Sequence, residues 1–332
     1  MSARAGPRVI GAFAVVYLVW GSTYLAIRYA VETLPPFLMA GSRFVLAGSL
    51  LYGWALWRGA STPPAVAWRW ALLVGALFVP LGNGLVVWAE QRVPSALAAL
   101  VAAGIPLWVA LFERLAPNGA RLTPARLLGL FVGFAGVVVL VGGDGLTLTA
   151  GPRVGAVALA SMASALGMVV LRRAPLPTDS ALSSSMTMLT GGGFALLVGW
   201  AAGEASGFTA GAVSAVSLAA YTYLVLFGSV LAFTCFTFLA RTVSPSRAST
   251  HAYVNPLVAL ALGAGLGGER LGIRALAATP LILGGLALVL GGGRACVPSA
   301  LRRSLRLREP ASRSGDHRAA LPLARCDRAG AG

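Results

Sequence analysis

The chain has 332 residues, of which 57% are apolar and only 11% charged, with a mean hydropathy of +0.80 and a formal net charge of +16. A soluble globular domain carries about 25% charged residues, so this composition excludes an ordinary water-soluble fold. There is no lysine, which rules out a P-loop with its phosphate-binding Lys and a Schiff-base Lys alike.

Runs without Asp, Glu, Lys or Arg cover 9–27, 70–89, 93–112, 154–171, 180–203, 205–240, 248–268 and 275–293. A bilayer core about 30 Å thick needs roughly 20 apolar helical residues, and these runs meet that length repeatedly. A membrane β-barrel would instead show strands of about 10 residues with period-two alternation. Taken in chain order, the predicted spans are 9–31, 37–57, 69–90, 94–115, 125–142, 152–173, 180–202, 215–240, 245–268 and 272–293. Turn chemistry separates them, as in Leu34-Pro35-Pro36, Ala116-Pro117-Asn118-Gly119 and Ala174-Pro175-Leu176-Pro177. The first run is too long for a signal-peptide core and has no small-x-small cleavage site followed by polar sequence, so it is expected to stay as a span.

Arginine sets the expected orientation. With the N-terminus in the cytoplasm, the inner side holds Arg4, Arg8, Arg58, Arg69, Arg114, Arg121, Arg126, Arg172, Arg173, Arg241 and Arg247. The outer side holds Arg92, Arg153, Arg270 and Arg274, which is eleven against four. Basic residues collect on the cytoplasmic side of membrane proteins, so both termini are predicted there. The net charge is thus mainly a topology signal. Its arginines sit at span ends rather than on one soluble face, which argues against nucleic-acid binding. The tail, 294–332, adds nine Arg inside and reads as disordered and drawn to anionic lipid headgroups.

The chain also repeats itself. Val93-Pro94-Ser95 followed by Pro106-Leu107 recurs 150 positions later as Val243-Ser244-Pro245 followed by Pro256-Leu257. A glycine-rich apolar run follows each copy, at Gly129 to Gly143 and Thr279 to Gly293. The expected organisation is a cytoplasmic N-terminus at 1–8, repeat one at 9–142, a linker at 143–151, repeat two at 152–293 and the tail. With five spans in each half, the second half enters the membrane from the opposite side. The fold class is therefore all-α integral membrane, with ten transmembrane helices as two inverted five-helix repeats. Such repeats build secondary transporters whose solute site lies between the halves.

Catalytic and metal chemistry is sparse. His251 and His317 cannot make a His-based metal site, and Cys235, Cys296 and Cys326 have no ligand spacing. Cys235 reads as a small apolar filler inside a span. No nucleophile–base–acid set, metal or cofactor is predicted, and the chain is not expected to be an enzyme.

Tyr17-Leu18-Val19-Trp20-Gly21-Ser22-Thr23-Tyr24, Pro35-Pro36-Phe37, Arg43-Phe44, Gly82-Asn83-Gly84, Ala89-Glu90, Val93-Pro94-Ser95, Pro106-Leu107, Ala252-Tyr253-Val254-Asn255-Pro256 and Gly267-Gly268-Glu269 carry a resemblance. Over about residues 9–293 the chain resembles an EamA-type permease of the drug/metabolite transporter superfamily, closest to its bacterial inner-membrane permeases. The resemblance implies ten helices, two EamA repeats and export or exchange of small metabolites. One position departs from the pattern. The family often places a Glu about thirteen residues after the mid-helix proline; Glu269 follows Pro256 at that distance, but Gly119 follows Pro106.

Polar and aromatic groups within the spans are the candidate site. Arg43 stands about six residues into its span, where a charge is costly and faces a cavity or snorkels to headgroups. Trp20, Ser22, Tyr24, Asn83, Trp108, Tyr253 and Asn255 are expected to line the cavity with it. Asn83 between two glycines could bond a neighbouring helix or sit where the helix unwinds. Glu90 and His251 are candidates for proton or cation coupling. Pro106 and Pro256, mid-span and related by the repeat, are candidate hinges that free a backbone carbonyl. Gly129-x-x-x-Gly133 and Gly263-x-x-x-Gly267 permit close helix contact, within the chain or in a homodimer. These features predict alternating access for small metabolites, amino acids or drug-like amphipathic solutes. The alternatives are an intramembrane lipid-modifying enzyme, which would need converging acids or a nucleophile, and a non-transporting scaffold.

Overall fold

The computed structural model describes residues 6–93, 98, 101–116, 123–141, 151–266 and 273–291. Pro94, Ser95, Gly119, Gly267, Gly268, Glu269, nearly all of the linker and the whole Arg-rich tail, with Cys296, His317 and Cys326, lie outside the described residues, as does the side-chain environment of Gly263.

All secondary structure among the described residues is helical. In chain order the helices are α1 (Pro7–Ala30), α2 (Pro36–Trp57), α3 (Ala65–Glu90), α4 (Ile105–Leu115), α5 (Pro124–Val141), α6 (Gly151–Arg173), α7 (Ser180–Ala201), α8 (Ala215–Thr242), α9 (His251–Leu266) and α10 (Ile273–Gly291). One helical turn at Pro245–Ala248 precedes α9. Five of them, α1, α3, α6, α7 and α8, contain stretches long and apolar enough to cross a membrane. Large apolar side chains such as Trp57, Leu18, Leu197 and Trp200 point outward, as expected of a protein solvated by lipid.

Local chemistry explains where the helices begin and end. Pro7 and Pro36 occupy first-turn positions, where a missing N–H costs nothing. The Asp179 carboxylate accepts from Leu182 N at 2.8 Å and caps α7; Ser214 caps α8 by accepting from Ser217 N at 3.0 Å. α2 has a cap supplied from elsewhere in the chain. Glu204 accepts from Phe37 N at 3.0 Å and Leu38 N at 2.9 Å, placing negative charge at the helix N-terminus.

α2 and α7 end in the same way. Gly59 and Gly203 adopt φ of +84° and +76°, which suits glycine. Gly59 N bonds Leu56 O at 2.9 Å and Ala60 N bonds Ala55 O at 3.0 Å. Gly203 N bonds Trp200 O and Glu204 N bonds Gly199 O, both at 3.0 Å. This is a Schellman termination in both copies.

Helix pairing is set by small residues. α2 lies against α7, α5 against α10, and α3 against α7. A methyl group on Gly75 would sit 2.6 Å from Thr187 O and 2.7 Å from Gly191 N, so the α3 and α7 backbones meet directly there. Thr190 Oγ1 adds a 2.9 Å bond to Ala71 O across the same contact. Gly129 and Gly133 face α10 and the Tyr253 ring, so this pair acts in packing within the chain. α1 packs on α8 and α9, while α6 packs on α3 and α4. Cys235 is a free, partly buried thiol packed on the main core, as the sequence predicts.

Candidate functional site

Two of these helices widen at mid-length. α3 forms a π turn over Val79–Gly84 and α8 over Leu224–Leu231. A π turn redirects side chains and loosens backbone bonding, and such turns recur at functional sites. In α8 the carbonyl of Gly228 accepts the Trp20 indole N–H at 3.1 Å. In α3 the turn carries Asn83, whose Oδ1 accepts from Arg43 Nη2 at 3.3 Å. The glycines beside Asn83 permit close approach: Gly82 lies under Ser164 and Gly84 under the Phe37 ring.

Between these turns lies a cavity of about 130 Å³. α1 contributes Trp20, Thr23, Tyr24 and Ile27, whose spacing of three and four residues puts them on one face. α2 adds Arg43 and Phe44, α3 adds Phe78 and Asn83, and α6 adds Ser161 and Ser164. α8 adds Phe233 and Phe236, and α9 adds His251 and Asn255. One side is an aromatic cluster. Trp20 lies 4.8 Å from Phe236 and 4.9 Å from His251 between ring centroids. Phe78 meets Phe233 at 5.8 Å and Phe236 at 5.5 Å edge-on, and Phe44 meets Phe233 at 5.9 Å. Those separations and angles suit the quadrupoles of aromatic rings.

Arg43 is 4% exposed, so its charged head does not reach a headgroup region from this position. Its guanidinium sits 4.3 Å over the Phe44 ring, and Tyr221 is its electrostatic neighbour. Nε and Nη1 are buried with no protein acceptor among the described residues. Asn255 is 4% exposed and its Oδ1 is likewise without a partner there. The Tyr24 hydroxyl lies close to Asn255 and to Glu90. Glu90, the last residue of α3, has both carboxylate oxygens buried and unpartnered among the described residues. It does not belong to the cavity wall. His251 begins α9, and its Nδ1 lies 2.9 Å from Ala248 O. A contact with a carbonyl requires the proton on Nδ1 in the neutral ring, which leaves Nε2 as the acceptor.

Of the residues expected at the cavity, Trp20, Tyr24, Arg43, Asn83 and Asn255 come together there, joined by His251. Three others stand elsewhere. Ser22 Oγ bonds Val19 O at 2.7 Å and Tyr223 Oη at 2.5 Å, tying α1 to α8. Trp108 stacks on Phe112 at 6.3 Å. Tyr253 is fully buried and donates to Leu130 O at 3.0 Å, joining α9 to α5. Pro256 lies inside α9, whereas Pro106 stands in the first turn of α4, just after a turn at 103–104. Phe78, Phe233, Phe236, Ser161 and Ser164 were missed from sequence. Phe233 and Phe236 are three apart and share a helix face, but a phenylalanine in an apolar span looks the same whether it faces lipid or a cavity.

The described residues contain no group of three or more His, Cys, Asp or Glu side chains placed to hold a metal. The arrangement can hold a small apolar body against rings while presenting one fixed positive charge and neutral hydrogen-bonding groups.

Comparisons with known proteins identify the fold and its relatives. The chain is 40% identical over 266 residues to the "Uncharacterized inner membrane transporter YedA" of Escherichia coli K12, covering 79% of this chain and 84% of that protein. It is 31% identical over 250 residues to "Protein PecM" of Dickeya dadantii, covering 74% of this chain and 80% of that one. A crystal structure at 24% identity superimposes with a TM-score of 0.70, covering 86% of this chain and 98% of its own, which shows a shared fold. The profile of the EamA-like transporter family matches twice, over residues 8–142 and 153–291, and the chain belongs to that family.

Proposed function

We propose that the protein is a secondary transporter working by alternating access in a bacterial inner membrane. Ten spanning helices form two inverted five-helix repeats with both termini in the cytoplasm. The observation that carries this reading is the cavity itself, lined by α1–α3 and the start of α4 of one half and by α6, α8 and the start of α9 of the other. Helix pairing supports the repeat. Exchanging the first five helices for the last five turns α1–α9 into α6–α4 and α1–α8 into α6–α3, and maps α2–α7 and α5–α10 onto themselves. The matched ends of α2 and α7 and the matched π turns of α3 and α8 obey the same exchange. Five elements per repeat then require the two halves to run oppositely through the bilayer.

In this reading the solute is a small metabolite, amino acid or drug-like amphipathic compound, exported or exchanged. Trp20, Tyr24, Arg43, Asn83 and Asn255 touch it, while Ser22, Trp108 and Tyr253 brace the wall from behind. Glu90 and His251 carry any coupled proton, Glu90 acting through Tyr24. Pro256 marks where α9 bends, since it lacks the N–H that would complete a regular helix, and Pro106 marks the matching break in the first half, where α4 starts after the turn at 103–104.

Cysteine accessibility tests the mechanism. In a chain lacking Cys235, Cys296 and Cys326, Ser164→Cys at the cavity should react with an impermeant maleimide applied from either face of the membrane. Ser61→Cys, in the loop after α2, should react from the cytoplasmic face only. Reaction of Ser164→Cys from a single face under every condition would sink alternating access. Labelling of Ser61→Cys from outside would overturn the orientation.

A further inference from the structure

The class of solute can be read from the charge balance of the cavity, granted the transporter reading. An arginine side chain has five N–H donors and keeps its charge in proteins. In Arg43, Asn83 accepts from Nη2, while the three N–H groups on Nε and Nη1 are buried and face no protein acceptor among the described residues. Burying an unpaired charge is costly unless something supplies the counter-charge. The described cavity wall contains no Asp or Glu to do so, and Glu90 lies outside that wall. Lining the same cavity as Arg43 are rings: Trp20, Phe44, Phe78, Phe233 and Phe236. The volume of about 130 Å³ is near the ~150 Å³ at which an apolar protein cavity takes up benzene.

We propose that the cavity binds small organic monocarboxylates, with the carboxylate on the Arg43 guanidinium and a single ring or branched alkyl group among the aromatic side chains. Asn83 holds the guanidinium in plane, and Phe44 supports its face. A solute carrying an α-ammonium beside the carboxylate binds less well. Its second charge would be desolvated next to a guanidinium, with neutral acceptors such as Asn255 Oδ1 in place of an acid. The site therefore selects monoanions over zwitterionic amino acids of the same size.

Three matched probes test this on the purified full chain in lipid nanodiscs: phenylacetate, its uncharged isostere phenylacetamide, and phenylglycine, which adds the α-ammonium. Phenylacetate should bind at least about tenfold more tightly than phenylacetamide, the difference expected of a charge-assisted bond. Phenylglycine should bind more weakly than phenylacetate. Arg43→Gln should bring acid and amide to within about twofold of each other, because it keeps hydrogen bonding but removes the charge that distinguishes them. Equal binding of acid and amide to the wild type, tighter binding of phenylglycine, or no binding of phenylacetate would each overturn the proposal. Should Arg43→Gln fail to fold, the comparison of the three probes on the wild type decides alone. If phenylacetate does not bind while the protein moves other solutes through liposomes, the solute class is wrong and the transporter reading stands. Selective binding with no flux of any solute would have the opposite meaning.

Discussion

Replacing Arg43 by alanine is expected to reduce solute flux by about 10- to 100-fold, the factor that corresponds to losing a hydrogen bond to a charged group. Folded protein should be recovered at wild-type abundance. The two expectations have one cause. A buried guanidinium with uncommitted N–H groups is held at a cost to stability, as functional groups often are. Truncating it removes that cost while leaving Asn83 beside a polar cavity. The thermal midpoint should therefore hold or rise as flux falls. Normal flux in Arg43→Ala would mean that the guanidinium is a structural group and that the solute contacts something else.

The second large effect concerns packing. Gly75→Val should leave little monodisperse folded protein. Its branched side chain would press on Thr187 O and Gly191 N, at 2.6 and 2.7 Å from the new Cβ. Both are backbone atoms of α7, and neither can swing aside. The helices must separate, losing the Thr190–Ala71 bond and the dispersion contacts that hold membrane helices together. Overpacking of a well-packed core costs about 1–3 kcal/mol, and a clash with rigid backbone falls at the upper end or beyond. Gly193→Val is the control. It lies on α7, two residues from Gly191 at the crossing, with open space where its side chain would go. Thermal unfolding in detergent, followed by gel filtration, should separate the two variants clearly. Equal stability would mean that α3 and α7 do not cross at these glycines.

Helix positions were legible because charge and turn residues mark them. The expected spans 37–57 and 180–202 correspond to Pro36–Trp57 and Ser180–Ala201, each started by proline or an acidic cap and stopped by glycine. Rotation about each helix axis was not legible. A span that is apolar all round has no marked face, so Trp108 and Tyr253 could not be told from Trp20 and Tyr24. Single charged or amide groups escaped this ambiguity, since Arg43, Asn83 and Asn255 cannot be turned to lipid cheaply. The π turns left only a faint trace, the glycines around Asn83. The cap on α2 left none, because Glu204 lies far along the chain from Phe37 and Leu38. The aromatic cluster was invisible for a related reason: its rings come from four different helices and α9's first residue, and only the fold brings them together.

Flux through a purified system tests the central claim most directly. Liposomes containing the protein would be loaded with a cytosolic metabolite extract, and the efflux analysed by mass spectrometry against empty liposomes and against Arg43→Ala. The account predicts protein-dependent, saturable loss of one or a few compounds that leave chemically unchanged, with little loss in the variant. A folded wild-type protein that releases nothing beyond the empty liposomes, or one that instead returns a chemically modified lipid, would contradict it.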